Sequence, residues 1–161
     1  MEHHIVLRVV AKSFIPVILL FALYVQFHGD YGPGGGFQAG VIFGSGIILY
    51  ALIFGLQTTK KVLPQSIIHH MTGIGVLLYA GIGVLSLIRG GNFLDYSVLG
   101  ATPAAGQHIG IMLIELGVGV TVAFVMVSLF YSFAGYRQKD LDDPAAEDDD
   151  EQDSIEKSDQ Q

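Results

Sequence analysis

Long unbroken apolar runs, rather than alternating polar and apolar faces, dominate the first 136 residues. Charges almost never interrupt the stretches from about Ile5 to Phe27, Phe37 to Leu56, Ile67 to Ile88 and Gln107 to Phe133. An α-helix needs roughly 20 apolar residues to cross the hydrocarbon core of a bilayer, and all four stretches reach that length. A soluble domain of this size would carry charged faces on amphipathic helices, and that periodicity is absent. The pattern predicts an all-α, polytopic membrane protein. Residues 1–136 form a four-helix membrane domain with spans at about 5–27, 37–56, 67–88 and 107–133, and residues 137–161 form a C-terminal tail.

The breaks between runs are short. Residues 28–36 make a glycine-rich turn, 57–66 a polar loop with Lys60, Lys61 and Pro64, and 89–106 a longer loop with Arg89, Asp95 and Pro103. Pro16, inside the first run, marks a kink or a packing site. Arg8 and Lys12 lie one helical turn apart at its opening and can reach the headgroups.

Charge divides the chain in two. Eleven of the fifteen acidic residues fall in 140–161, so the net charge of −7 describes the tail and not the body. So acidic and apolar-poor a segment cannot bury enough surface to fold, and the expectation is a disordered cytoplasmic tail. It lacks the spaced ligands and central glycine of a calcium loop. Arg8, Lys12, Lys60, Lys61, Arg137 and Lys139 fall on one side of the predicted topology and only Arg89 on the other. This predicts both termini in the cytoplasm and the glycine turn facing outward. The absence of cysteine excludes disulfides and thiolate chemistry. No basic surface supports nucleic-acid binding. The first run is too long for a signal h-region and no small-x-small site follows it, so no cleavable leader is expected.

The turn is the densest motif. Gly32-Pro33-Gly34-Gly35-Gly36 followed by Phe37 can bend sharply or approach another backbone closely. It lacks the Gly-Lys-Ser/Thr ending of a phosphate loop. Gly44-Ser45-Gly46 is a small-residue helical step and not a nucleophile elbow. Ser86 and His108 fall near the outer ends of their spans, but no oxyanion motif accompanies them, and no enzyme activity is expected.

The run Gly-Asp-Tyr-Gly-Pro-Gly-Gly-Gly-Phe-Gln-Ala-Gly, residues 29–40, resembles the signature of the B subunit of Mrp-type (Mnh/Sha) multisubunit Na+/H+ antiporters. The resemblance extends over most of the hydrophobic part. It implies a small multi-pass subunit in the bacterial cytoplasmic membrane. The complex would exchange Na+ for H+ using the proton motive force, and its large subunits would carry the proton-conducting machinery. The expected partners are those other subunits and the lipid bilayer. Transported Na+ and H+ are the only ions implied, with no cofactor and no resident metal.

Within this frame a few residues carry candidate chemistry. Glu115 is the only acid inside an apolar span, where an ionised carboxylate is costly and faces a bundle interior or a water-filled path. His108, seven residues earlier, lies on nearly the same helix face, so the two can be steps of a proton relay. Glu115 can equally fix the assembly by a hydrogen bond, and His108 can simply cap the interface. His28 and Asp30 either gather cations at a pathway entrance or hydrogen-bond the turn. His69 and His70 point about 100° apart on a helix and read as interfacial anchors, not a shared metal site.

Gly40 and Gly44, spaced Gly-x-x-x-Gly, predict close helix packing, as do Gly73, Gly75, Gly81, Gly83, Gly117 and Gly119. The sequence places the turn as an outward hinge, holding His28 and Asp30 at the surface, with ion chemistry assigned to Glu115. The alternative is a homo-oligomeric tetraspan transporter or pore with the turn as re-entrant lining. Such a chain would conduct by itself, whereas a partner subunit would be silent alone. One buried acid and no buried lysine favour the partner subunit.

Overall fold

In the computed structural model, residues 2–29 and 32–142 are described. Every regular element among them is helical: α1 Glu2–His28, α2 Gly36–Phe54, α3 Leu56–Val62, α4 Gln65–Ile88 and α5 Pro103–Asp142, with a 3-10 turn at Tyr96–Leu99. Four of these are long and apolar enough to cross a membrane, over Ile5–His28, Gly36–Phe54, Gln65–Ile88 and Pro103–Tyr136. The chain divides into two compact units, residues 1–128 and 129–161. The site described below lies in the first.

Local chemistry sets the helix ends. Gly35 enters α2 at φ 131° and Gly55 leaves it at φ 91°, backbone regions that L side chains rarely adopt. Pro64 stands just before α4. α5 begins earlier than the predicted Gln107 because Pro103 is preset for the first helical position. Thr102 Oγ1 also caps it, accepting the amide of Ala105 at 3.3 Å.

The segment predicted as a polar loop at 57–66 is instead mostly the short helix α3, packed on α2. It contains no breaker before Pro64, and Thr59 is buried with its hydroxyl donating to the Gly55 carbonyl at 3.0 Å. At the other end α5 runs on to Asp142, into the stretch assigned to the tail. The remaining tail residues, 143–161, lie outside the described residues. In the second unit, the Phe130 and Tyr131 rings stand 6.4 Å apart and tilted.

The first unit packs through small residues. Ala11, Ala22, Ala39, Ala51 and Ala123 are buried while Leu20, Leu77 and Ile88 are exposed. Only 17% of the first span and 28% of the second are buried within the chain. In water that ratio would be untenable. In lipid the outward apolar side chains are solvated, and attraction comes from close backbone contact.

α5 is the hub of these contacts. A methyl group on Gly40 of α2 would stand 2.6 Å from the Gly119 carbonyl, and one on Gly44 would stand 3.1 Å from the Ala123 carbonyl. α4 meets α5 where Gly75 faces Thr121 and where a methyl on Gly117 would stand 3.0 Å from the Gly75 carbonyl. α1 packs along α2, with Leu19 and Ile18 against Gly46.

Candidate site at the glycine turn

The turn between α1 and α2 and the acid of α5 form one site. A methyl group on Gly29 would lie 2.6 Å from Glu115 Oε2, and one on Gly35 would lie 3.1 Å from Glu115 Oε1. A methyl on Gly36 would overlap the backbone carbonyl of Glu115 itself. Three glycines thus leave the volume that the carboxylate and its helix backbone fill. At Gly35 the requirement is double, since φ 131° and the approach of the carboxylate both exclude a side chain.

Two amides join the acid. The side-chain oxygen of Gln38 stands 3.6 Å from the same Gly35 methyl position that Glu115 Oε1 approaches, so both converge on that glycine. Gln26, one turn back in α1, is only 8% exposed, with its side-chain oxygen against Gly119, one turn past Glu115. Burying an amide costs free energy unless it is hydrogen-bonded, so its presence one helical turn from the acid extends a polar patch inside an apolar bundle. Next to Gln26, a cavity of about 230 Å³ between α1, α2 and α5 is lined by apolar groups including Leu23, Phe43, Leu116 and Phe124. Polarity therefore stops one turn beyond the acid on that side.

The turn does not sit at the tip of the bundle. It lies level with Glu115, twelve residues into α5, so about 18 Å of that helix extends beyond it at 1.5 Å per residue. The 89–102 loop clasps that extension, with Tyr96 against Gly106 and Gly110. The expectation of a surface hinge set apart from Glu115 is therefore corrected. The absence of side chains lets α5 press its acid into the turn. Sequence reading missed Gln26 and Gln38 as companions of Glu115. The signal available was an amide one residue before the end of one apolar run and another at the second position of the next.

The other sequence-predicted residues fall in different places. His28 is half-buried, stacked on Tyr24 with ring centroids 5.1 Å apart, and packed against Gly32. Gly34 abuts the Val25 carbonyl, and Pro33 and Phe37 are exposed. Asp30 lies outside the described residues. His108 is exposed, about 10 Å along α5 from Glu115.

Ser86 is fully buried, its hydroxyl donating to the Ile82 carbonyl at 3.0 Å, and it is not assembled with a histidine. His69 accepts from Gln65 at 3.1 Å and His70 Nδ1 donates to the Ser66 carbonyl at 2.6 Å, each within its own helix turn. Among the described residues no three His, Asp or Glu side chains are placed to share a metal ion.

Comparison with known proteins adds an independent line. Residues 6–128 match the model of a family described as a domain related to the MnhB subunit of Na+/H+ antiporter. Among curated relatives, the protein named "Putative antiporter subunit mnhB2" of Staphylococcus aureus strain Newman is 36% identical over 139 residues. That alignment covers 84% of this chain and 98% of the relative, and the protein of the same name from strain COL matches equally.

Proposed function

The chain belongs to the family related to the MnhB subunit of Na+/H+ antiporters, and from that premise we propose that it is a small membrane subunit of a multisubunit cation/proton antiporter. The complex exchanges Na+ for H+ at the expense of the proton motive force, in a bacterial cytoplasmic membrane, with both termini of this chain in the cytoplasm. The chain assembles with the other subunits through its outward apolar faces. Glu115, in its glycine cradle, meets the ion path.

One observation carries this reading: the carboxylate of Glu115 stands against Gly29 and Gly35 and its main chain against Gly36, with Gln38 converging on Gly35 and Gln26 one turn along at Gly119. An ionisable group at membrane depth is costly, and a cradle that excludes side chains keeps it in one position. Its chemistry suits transient occupancy by a cation or proton. The polar patch ends at an apolar cavity, so the chain by itself supplies one step and not a full conduit. The remainder of the path falls to partner subunits.

Glu115→Gln tests this, because glutamine keeps the shape that fills the cradle and removes the charge. The expected result is a complex that assembles at normal levels while Na+/H+ exchange in membrane vesicles falls at least tenfold. Normal exchange with normal assembly would remove Glu115 from the ion path. Loss of the assembled complex would make the residue a structural contact between subunits.

A further inference from the structure

At the opposite end of the first two spans from the glycine turn, α1, α2 and α3 enclose a second feature. A cavity of about 300 Å³ is walled by Ile15 and Leu19 of α1, Ile47 and Tyr50 of α2, and Val62 of α3, with hardly any polar surface. A neighbouring hollow shares Ile15 and Tyr50 with it and is bordered by Lys12. The Lys12 ammonium stands 5.9 Å from the centre of the Phe54 ring, and both side chains line that second hollow. Arg8 lies one turn further along α1 and is exposed, as is Lys61 at the end of the α3 wall. No Asp or Glu occurs between Ile5 and Gly29 or between Gly32 and Gln65.

We propose that this groove binds one anionic phospholipid, with an acyl chain along Ile15, Leu19 and Ile47 and the phosphate at Lys12 and Lys61. Apolarity and charge choose this occupant. The walls carry hardly any polar surface, which suits a hydrocarbon chain. The apolar walls and the positive rim stand in the order of an anionic lipid, tail inward and head at the interface. Lysine snorkels to that level, and its stem covers Phe54 on the way. The inference needs only that the chain resides in a bilayer, so it stands or falls apart from the antiporter reading.

The test offers the full-length chain, purified with whatever subunits accompany it and stripped of lipid, equal amounts of phosphatidylglycerol and phosphatidylcholine with the same acyl chains. Retained lipid is counted by native mass spectrometry. Phosphatidylglycerol is expected to be retained at least fivefold over phosphatidylcholine. Each interfacial lysine contributes up to roughly fivefold, so Lys12→Gln with Lys61→Gln should lower phosphatidylglycerol retention at least fivefold, to the level of phosphatidylcholine, and leave phosphatidylcholine unchanged. Ile47→Trp, which fills the groove, should lower retention of both. Equal retention of the two lipids, or phosphatidylglycerol retention indifferent to the lysine changes, overturns the proposal. So does a photo-crosslinker at position 50 that captures another subunit in place of lipid.

Discussion

At the scale of single residues, the glycines of this chain differ sharply in what they hold apart. Gly36 faces the backbone of Glu115, which cannot move aside without displacing α5, whereas nothing lies within 4 Å of a methyl on Gly73. Gly36→Ala should therefore cost about 1–3 kcal/mol, the usual range for overpacking. Gly73→Ala, at an exposed helical position, should be neutral or slightly stabilising. Thermal unfolding of the two variants in the same detergent checks the contrast, and equal melting temperatures would contradict it. From sequence, both positions are simply glycines in or beside an apolar run. What distinguishes them is the neighbour brought up by another helix seventy-nine residues away in one case and by none in the other. Glu115 was legible as the acid of the bundle because its cost is intrinsic. Its companions Gln26 and Gln38 were not, because an amide near a span end has no such signature.

At the scale of elements, the apolar runs specified the four long helices closely, since length and hydropathy are properties of the run itself. The connections were harder to read. The 89–102 segment folds back over α4 and α5, with Phe93 against Gly83, Val98 against Gly91 and Tyr96 against Gly110. Its 3-10 turn is capped by Asp95, whose Oδ1 accepts the Ser97 hydroxyl at 2.5 Å and the Ser97 amide at 3.1 Å. The hydroxyl bond first, and then the amide bond, hold this carboxyl below its ordinary value. Burial moves the adjacent Tyr96 phenol up, with a smaller push from Tyr79. A depressed carboxylate stabilises the fold above its unfolded pKa of about 3.9, and that contribution disappears as pH falls through the lower folded value. Amide-exchange protection at Ser97 should therefore hold from neutral pH down to about 4 and fall below it. In Asp95→Ala, protection should be several-fold lower at pH 7 and lose that acid dependence. An unchanged profile in the variant would remove the cap from the account of this turn.

For the whole molecule, the orientation proposed from the lysines and arginines sets which connections meet which compartment. The chain contains no cysteine, so a single introduced thiol reports its own side of the membrane. Thr58→Cys on α3 should resist a membrane-impermeant thiol reagent in intact cells and react after permeabilisation, while Asn92→Cys should react at once. The opposite pattern would invert the topology. The same orientation puts the Glu115 cradle toward the outer side and the α1–α2–α3 groove toward the cytoplasm. The cradle also constrains how such a chain can change over time. Gly29 and Gly35 stand against the carboxyl group of Glu115, but Gly36 stands against its main chain. A lineage that exchanged Glu115 for a small residue would lift the carboxyl's pressure on Gly29 and Gly35, yet Gly35 would stay glycine for its φ of 131° and Gly36 for the main chain it meets. The turn can therefore outlast the acid, whereas the acid keeps its place only while Gly29 and Gly35 lack side chains.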